Sequence, residues 1–281
     1  MVTVALQGIR GGVGTTGTAA ALGWALNGLG QRVLVVDASP GAQLGMHFNL
    51  PLADRAGWAA ALLDGSAWQA TAWRYTEGLD VLPFGTVDPA QLPALAACVS
   101  QAEWRASFAS QSAAYDWIIL DIGSGHAPVS RQMAAFSELL LLLMMPDANC
   151  HLRLHRQALP DDAHLLITQL LPGSVLQEDL YLLWKQTLPR LVPLVMHRDE
   201  AVAEAAAGKQ PLGEYAPYSQ AAQEATNLAA WCLLQRLPGQ RPARGGDMIH
   251  ALDVLLAAPA GGHGRSAIGR AARMARRRRV R

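Results

Sequence analysis

The chain has 281 residues, with 51% hydrophobic side chains, 16% charged side chains, a mean hydropathy of +0.13 and a formal net charge of +1. That length suits one α/β domain with a tail, or at most two small domains, and the apolar content places it among globular proteins with room for a large core. The longest strongly apolar run, Leu139 to Met145, falls far short of the ~20 residues of a membrane-spanning helix, and three widely spaced cysteines, Cys98, Cys150 and Cys232, make neither a disulfide framework nor a metal pair.

The chain enters an apolar run at Val2 to Leu6 without a charged leader, so a strand is expected at once and a reducing cytoplasm is the expected compartment. Directly after it, Gly8 to Thr16 reads GIRGGVGTT. Backbone N–H groups in a glycine-rich turn that feeds a helix form an anion cradle, because unpaired donors and the helix dipole point at the same ligand. Set against the phosphate-loop pattern G-x-x-x-x-G-K-[ST], Ile9 takes the opening glycine's place and Thr15 the lysine's, while Thr16 supplies the hydroxyl that meets magnesium. Gly11, Gly12, Val13, Gly14, Thr15, Thr16 and Gly17 are the candidate phosphate-binding residues. The alternative is a plain tight turn. Thr18 to Leu29 then has helical periodicity, with Gly30 as its stop.

Arg32 to Asp37 reads as a buried strand ending in a carboxylate, and Ser39, Pro40 and Gly41 break the chain. Helix is expected at Ala56 to Leu63, strand at Leu79 to Pro83, and mostly helix from Gln91 to Ala114. Tyr115 to Asp121 is another strand that ends in aspartate, followed by the turn IGSG. Strands are expected at Leu139 to Met145, His164 to Thr168 and Leu191 to Met196, with helices at Ala201 to Ala207 and Ala221 to Leu234. Strands separated by helices imply right-handed crossovers and a mostly parallel sheet flanked by helices on both faces. Such sheets bind ligands at the carboxyl ends of their strands, which brings Thr16, Asp37 and Asp121 to one crevice. Four apolar residues before Asp121 are the setting of a carboxylate that holds magnesium, often through water. A strand-ending aspartate alone is more often a turn former or cap; the constellation carries the argument.

Residues 1–237 are read as one nucleotide-binding domain and residues 238–281 as an extension. Eight arginines and no acidic residue lie between Arg265 and Arg281, which leaves the rest of the chain at −7. An arm of that kind binds anionic lipid or nucleic acid, or is simply a solvated tail. His151, His155, His164 and His197 form no convincing zinc set. Trp24, Trp58, Trp117 and Trp231 lie in apolar periodic segments and are expected in the core. Ser124 does not fit G-x-S-x-G and is better read in a loop sensing a terminal phosphate. Arg153 and Arg156 are either a partner-facing patch or a solvated helix face.

The loop, with VLVVDASP after it, resembles the deviant Walker P-loop NTPases of the MinD/ParA type, whose loop reads K-G-G-x-G-K-T-[ST]. Two longer blocks, DANCHLRLHRQALPD at Asp147 to Asp161 and HRDEAVAEAAAGKQPLGEY at His197 to Tyr215, are similar more narrowly to the BcsQ family of cellulose biosynthesis proteins. The likeness covers roughly Met1 to Leu237. It implies ATP and Mg²⁺ as cofactors, a homodimer, and as partners the small protein BcsR and the inner-membrane cellulose synthase complex, to which a cytoplasmic protein would be recruited. Arg10 stands where the group places a lysine that reaches across the dimer. Asp37 is kept as the candidate catalytic aspartate, but Ser39 replaces the second aspartate of D-x-D-P, and an adenine-contacting asparagine is replaced near Thr168 or Gln169. The resemblance therefore implies an ATP-binding scaffold with slow or absent hydrolysis. The alternatives are an active ATPase that localises the synthase and a partition-type ATPase that grips DNA.

Overall fold

A computed structural model describes residues 1–51 and 53–235. The boundary at residue 237 and the arginine-rich tail lie outside these.

Apolar runs build the sheet. Its strands are β1 (Val2–Gly8), β2 (Val33–Asp37), β3 (Trp73–Thr76), β4 (Leu79–Leu82), β5 (Trp117–Asp121), β6 (Leu139–Met144), β7 (His164–Leu170) and β8 (Leu191–His197). They lie in the order β3-β4-β2-β5-β1-β6-β7-β8. Every neighbouring pair is parallel except the β3–β4 hairpin. Strands β2, β4, β5 and β6 are buried at every residue, as strands covered on both faces must be. The register sets Asp37 beside Asp121, and Leu6 beside Asp121 from the other side.

The helices are α1 (Thr15–Gly28), α2 (Trp58–Leu63), α3 (Leu92–Ser100), α4 (Ala102–Ser112), α5 (Pro128–Ala134), α6 (Ala148–Arg156), α7 (Val175–Thr187), α8 (Glu200–Ala207), α9 (Leu212–Tyr215) and α10 (Gln220–Gln235). The parallel, helix-flanked sheet expected from the sequence is present. Helix α1 starts at Thr15 and lies close on the sheet: a Cβ at Gly23 would fall 2.5 Å from Val35 Cγ2. It packs on β1, β2 and β5 and is covered by α9 and α10. The helical stretch expected from Gln91 to Ala114 is divided at Gln101, whose extended backbone (ψ 142°) separates α3 from α4.

Trp58, Trp117 and Trp231 are buried as expected. Trp24 is only partly buried. It packs at the core's rim, edge-on to Tyr75, with Gly213 against its ring. Trp58 also fixes the site, because its Nε1 donates to the Asp37 carbonyl at 2.7 Å.

Candidate functional site

The glycine loop is held between two strand ends. Gly8 N–H donates to the Gly123 carbonyl (2.7 Å) and Ile9 N–H to the Leu143 carbonyl (2.9 Å), extending the ladder from β1 towards β5 and β6. The loop then folds back over Gly8, where a Cβ would meet Arg10 O at 2.6 Å, Thr15 Oγ1 at 2.7 Å and Val13 Cγ2 at 2.8 Å. The glycine that space demands is therefore Gly8, one residue before the place the motif assigns, and Ile9 is a buried plug. Gly12 (φ 79°) and Gly14 (φ 87°) take left-handed conformations that other residues adopt at a cost.

Two carbonyls of the loop are taken up by side chains of β7. Gln169 Nε2 donates to the Gly12 carbonyl (2.9 Å) and Thr168 Oγ1 to the Val13 carbonyl (2.8 Å), so the two residues at the expected asparagine position tie β7 to the loop. Among the described residues, no N–H from Gly11 to Gly17 has a hydrogen-bond partner. Gly14 stands at the N-cap of α1 and supplies no side-chain cap. Seven consecutive free donors at a helix N-terminus are what an anionic group needs.

Asp37 and Asp121 stand side by side behind the loop, each 1% exposed. Asp37 accepts from the N–H groups of Ser39 (3.1 Å) and Leu44 (3.0 Å), while Asp121 accepts from Gly123 N–H (3.1 Å) and from the Thr16 side chain. Burial pushes both carboxyls above the ordinary range. The Asp121 charge pushes Asp37 further, against the pull of the amide donors. A cation at this point would offset that cost. Thr16 and Asp121 supply hard oxygen donors in the small number Mg²⁺ takes when phosphates and water complete its shell. Among the described residues no cluster of three or more His, Cys, Asp or Glu forms a ready metal cage. Ser39 packs against the turn after β5, its Oγ 2.7 Å from where a Gly123 Cβ would be. A hydroxyl there brings neither the charge nor the basicity of a carboxylate.

Arg10 is engaged within its own chain. Its Nη1 donates to the Gly11 carbonyl (2.7 Å) and its Nη2 to Met145 Sδ (3.4 Å) and to the Asp147 carboxylate. Asp147 caps α6 through Cys150 N–H (2.7 Å). Burial works against the charge on both partners, yet the Cys150 amide and Arg10 hold Asp147 below the usual carboxylate range, and Asp147 raises Arg10.

The loop, Asp121 and the segment after β8 enclose a cavity of about 520 Å³, whose lining does not include Asp37. Its far wall runs from Met196 to Glu200 with Val202 and Leu212, all within or beside the second block singled out in the sequence. His197 ties that wall to α10 through Glu224 (N–H to Oε2 2.7 Å, Nδ1 to Oε1 2.5 Å), and Asp199 caps α8 at Ala201 N–H (3.0 Å) while accepting from Ala221 N–H (3.1 Å). Ser124 lines the cavity. His47 lines it too, unforeseen in the sequence because no motif marks it. His151 and His155 stack edge-to-face on α6, with His151 Nδ1 accepting from Trp184 Nε1 (3.1 Å), and Arg153 and Arg156 lie on the same helix.

A mostly parallel sheet whose first strand runs through such a loop into a helix is the P-loop fold, here in its MinD/ParA-like form. Solved structures agree on the fold: the septum site-determining protein MinD complexed with Mg-ADP from Pyrococcus horikoshii OT3 is 19% identical with a TM-score of 0.63, covering 85% of this chain and 97% of that one. Cobyrinic acid a,c-diamide synthase from Mycobacterium smegmatis, with bound ATP analog and magnesium, is 19% identical with a TM-score of 0.66 over 85% and 97%. Sequence gives a narrower placement. The model of the family described as "Cellulose biosynthesis protein BcsQ" matches residues 1–233. The protein of that name from Salmonella typhi is 48% identical over 237 residues, covering 83% of this chain and 95% of the relative. The chain belongs to the BcsQ family.

Proposed function

We propose that the chain is a nucleotide-gated scaffold in bacterial cellulose synthesis, which binds ATP with Mg²⁺, dimerises through its nucleotide face and turns over slowly or not at all. The observation that carries this is the row of unpaired amides from Gly11 to Gly17 beside the buried Thr16–Asp121 pair. Neighbours solved with Mg-ADP and with an ATP analog and magnesium support the ligand class, and the relatives' name supports the process. Bound magnesium would neutralise phosphate charge. Gly11 to Gly17 would hold the phosphates, and Thr16 and Asp121 the metal. Asp37 positions the chain after β2 through Ser39 and Leu44, and remains the candidate for orienting a water.

The hydrolytic machinery is thin. Thr15 cannot supply an ammonium, a loss of about 1.5–3 kcal/mol for one charged hydrogen bond. A transition-state cation is worth roughly 10³–10⁵ in phosphoryl-transfer rate, and Ser39 provides no carboxylate to compensate. Arg10 is the one group of this loop that could restore charge, in trans, once freed from Asp147.

The proposed partners are a second copy, BcsR and the inner-membrane cellulose synthase complex, with the membrane reached through them. Among the described residues no helix is long and apolar enough to cross a membrane. The domain limit at 237 and an anionic lipid or nucleic-acid ligand for Arg265 to Arg281 belong to the same proposal. Purified protein should carry or take up ATP with Mg²⁺, shift to dimer mass and release phosphate slowly. Rapid release would favour the cycling ATPase instead, and a failure to take up any nucleoside triphosphate would sink both.

A further inference from the structure

The 3-10 turn Leu44–Phe48 crosses beside α1 and α8. It is pinned at both ends. Leu44 N–H donates to the Asp37 carboxylate (3.0 Å) and the Leu44 side chain is fully buried, while Phe48 is fully buried edge-on to Tyr75 (centroids 5.1 Å). Asn49, in the left-handed region (φ 51°), ends the turn. Between these anchors the His47 side chain reaches the cavity wall at the first turn of α1. A Cβ at Gly17 would lie 3.7 Å from His47 Cε1 and 3.6 Å from Val202 Cγ1, so imidazole and valine flank the end of the amide row.

This imidazole is unlike the other part-buried histidines. His151 is bonded to Trp184, His197 to Glu224, and His164 packs edge-on to Trp231. Among the described residues His47 has no hydrogen-bond partner and no ring contact. Burial lowers its pKa below the ordinary value and so favours the neutral ring, which offers one N–H donor and one bare nitrogen acceptor. A phosphate, rich only in acceptors, uses half of that. A sugar hydroxyl, which both donates and accepts, uses either.

Position makes the same choice. In loops of this kind the lysine position serves the outer phosphates, the threonine hydroxyl serves magnesium, and the amides cradle the phosphates nearer the sugar. Gly17 follows Thr16, so the group beyond it is the sugar.

We propose that His47 hydrogen-bonds a ribose hydroxyl of the bound nucleotide and makes the site prefer ribonucleotides over their deoxy counterparts. The inference rests on the nucleotide-binding reading above and adds the residue that recognises the sugar. Titration calorimetry of the full chain with Mg²⁺ and ATP, 2′-deoxyATP or 3′-deoxyATP tests it, on the wild type and on His47→Ala and His47→Gln. The wild type should bind ATP roughly threefold to tenfold more tightly than at least one deoxy analogue, the size of one net hydrogen bond. His47→Ala should lose that preference by weakening for ATP alone, and His47→Gln should keep part of it. Equal binding of all three by the wild type, or an undiminished preference in His47→Ala, overturns the inference while leaving nucleotide binding intact. A wild type that binds none of the three overturns both.

Discussion

Arg10 of the glycine loop and Asp147 at the start of α6 form an ion pair within one chain, with side chains 23% and 27% exposed. An arginine that is to reach a second subunit must first leave this partner. At such exposure the pair is worth only about 1 kcal/mol, so it can hold Arg10 in the isolated chain without preventing exchange. The pair also joins the loop to α6 and, through His151 and Trp184, to α7.

Asp147→Asn isolates the charge, because asparagine caps a helix about as well as aspartate and α6 should remain intact. With Arg10 released, Mg²⁺- and ATP-dependent dimerisation should strengthen by about fivefold, the equivalent of the lost ion pair. Arg10→Ala should weaken dimerisation more than it weakens the monomer's fold, which loses about 1 kcal/mol with the ion pair. Sedimentation equilibrium with and without nucleotide reads both, and dimerisation constants that match the wild type in both variants would remove Arg10 from the interface.

Gly8 and Gly11 make a paired test of the loop. An alanine at position 8 would press its methyl onto Arg10 O, Thr15 and Val13, whereas at position 11 no atom lies within 4 Å. Overpacking of that kind costs about 1–3 kcal/mol, or roughly 2–12 °C in a domain of this size. Gly8→Ala should melt lower by that amount and Gly11→Ala should melt with the wild type. Scanning calorimetry without nucleotide decides it; identical melting for Gly8→Ala would mean that the loop does not close over the end of β1.

Much of this fold was written in continuous apolar runs. Strands β2, β5 and β6 are buried at every position, so the sequence shows uninterrupted hydrophobes that end at Asp37, Asp121 and Met144. Strand β3 escaped notice because Trp73–Thr76 is a half-exposed antiparallel edge without an apolar run. Helix α7 escaped because Val175, Leu176, Leu182 and Leu183 face outward, so its hydrophobic pattern does not trace a core face. At the site, the loop and both carboxylates were legible because local spacing defines them. His47, Met196 and Val202 were not, since only the tertiary fold brings a turn after β2 and the segment after β8 to the same cavity.

Thr15→Lys asks whether the missing ammonium limits the site. Thr15 is 8% exposed with its Oγ1 beneath the loop near Gly8, so the stem of a lysine would start inside and carry its charge along the cavity wall. One charged hydrogen bond to phosphate should raise ATP affinity about tenfold to hundredfold. Phosphate release should also accelerate if Ser39 alone does not block the reaction. Unchanged affinity would show that the row of amides already satisfies the phosphates.

His164 supplies a pH dependence whose sign can be worked out. It opens β7, packs edge-on to Trp231 (centroids 5.4 Å), and has its pKa lowered first by burial and then by the charge of Arg190, with Asp162 opposing. A histidine depressed in the folded state contributes its full stability above the unfolded value, near 6.5, and loses it as pH falls through the lower folded value. The buried Asp37 and Asp121 carboxyls, raised in the folded state, act in the opposite direction, and His47 acts in the same direction as His164. The informative quantity is therefore the difference between wild type and His164→Gln, which keeps a polar side chain of similar reach but does not titrate. Urea midpoints measured from about pH 7.5 to about pH 5.5 should fall more steeply for the wild type than for His164→Gln. Parallel curves would mean that His164 has the same proton affinity folded and unfolded, and that its packing against Trp231 leaves it open to water.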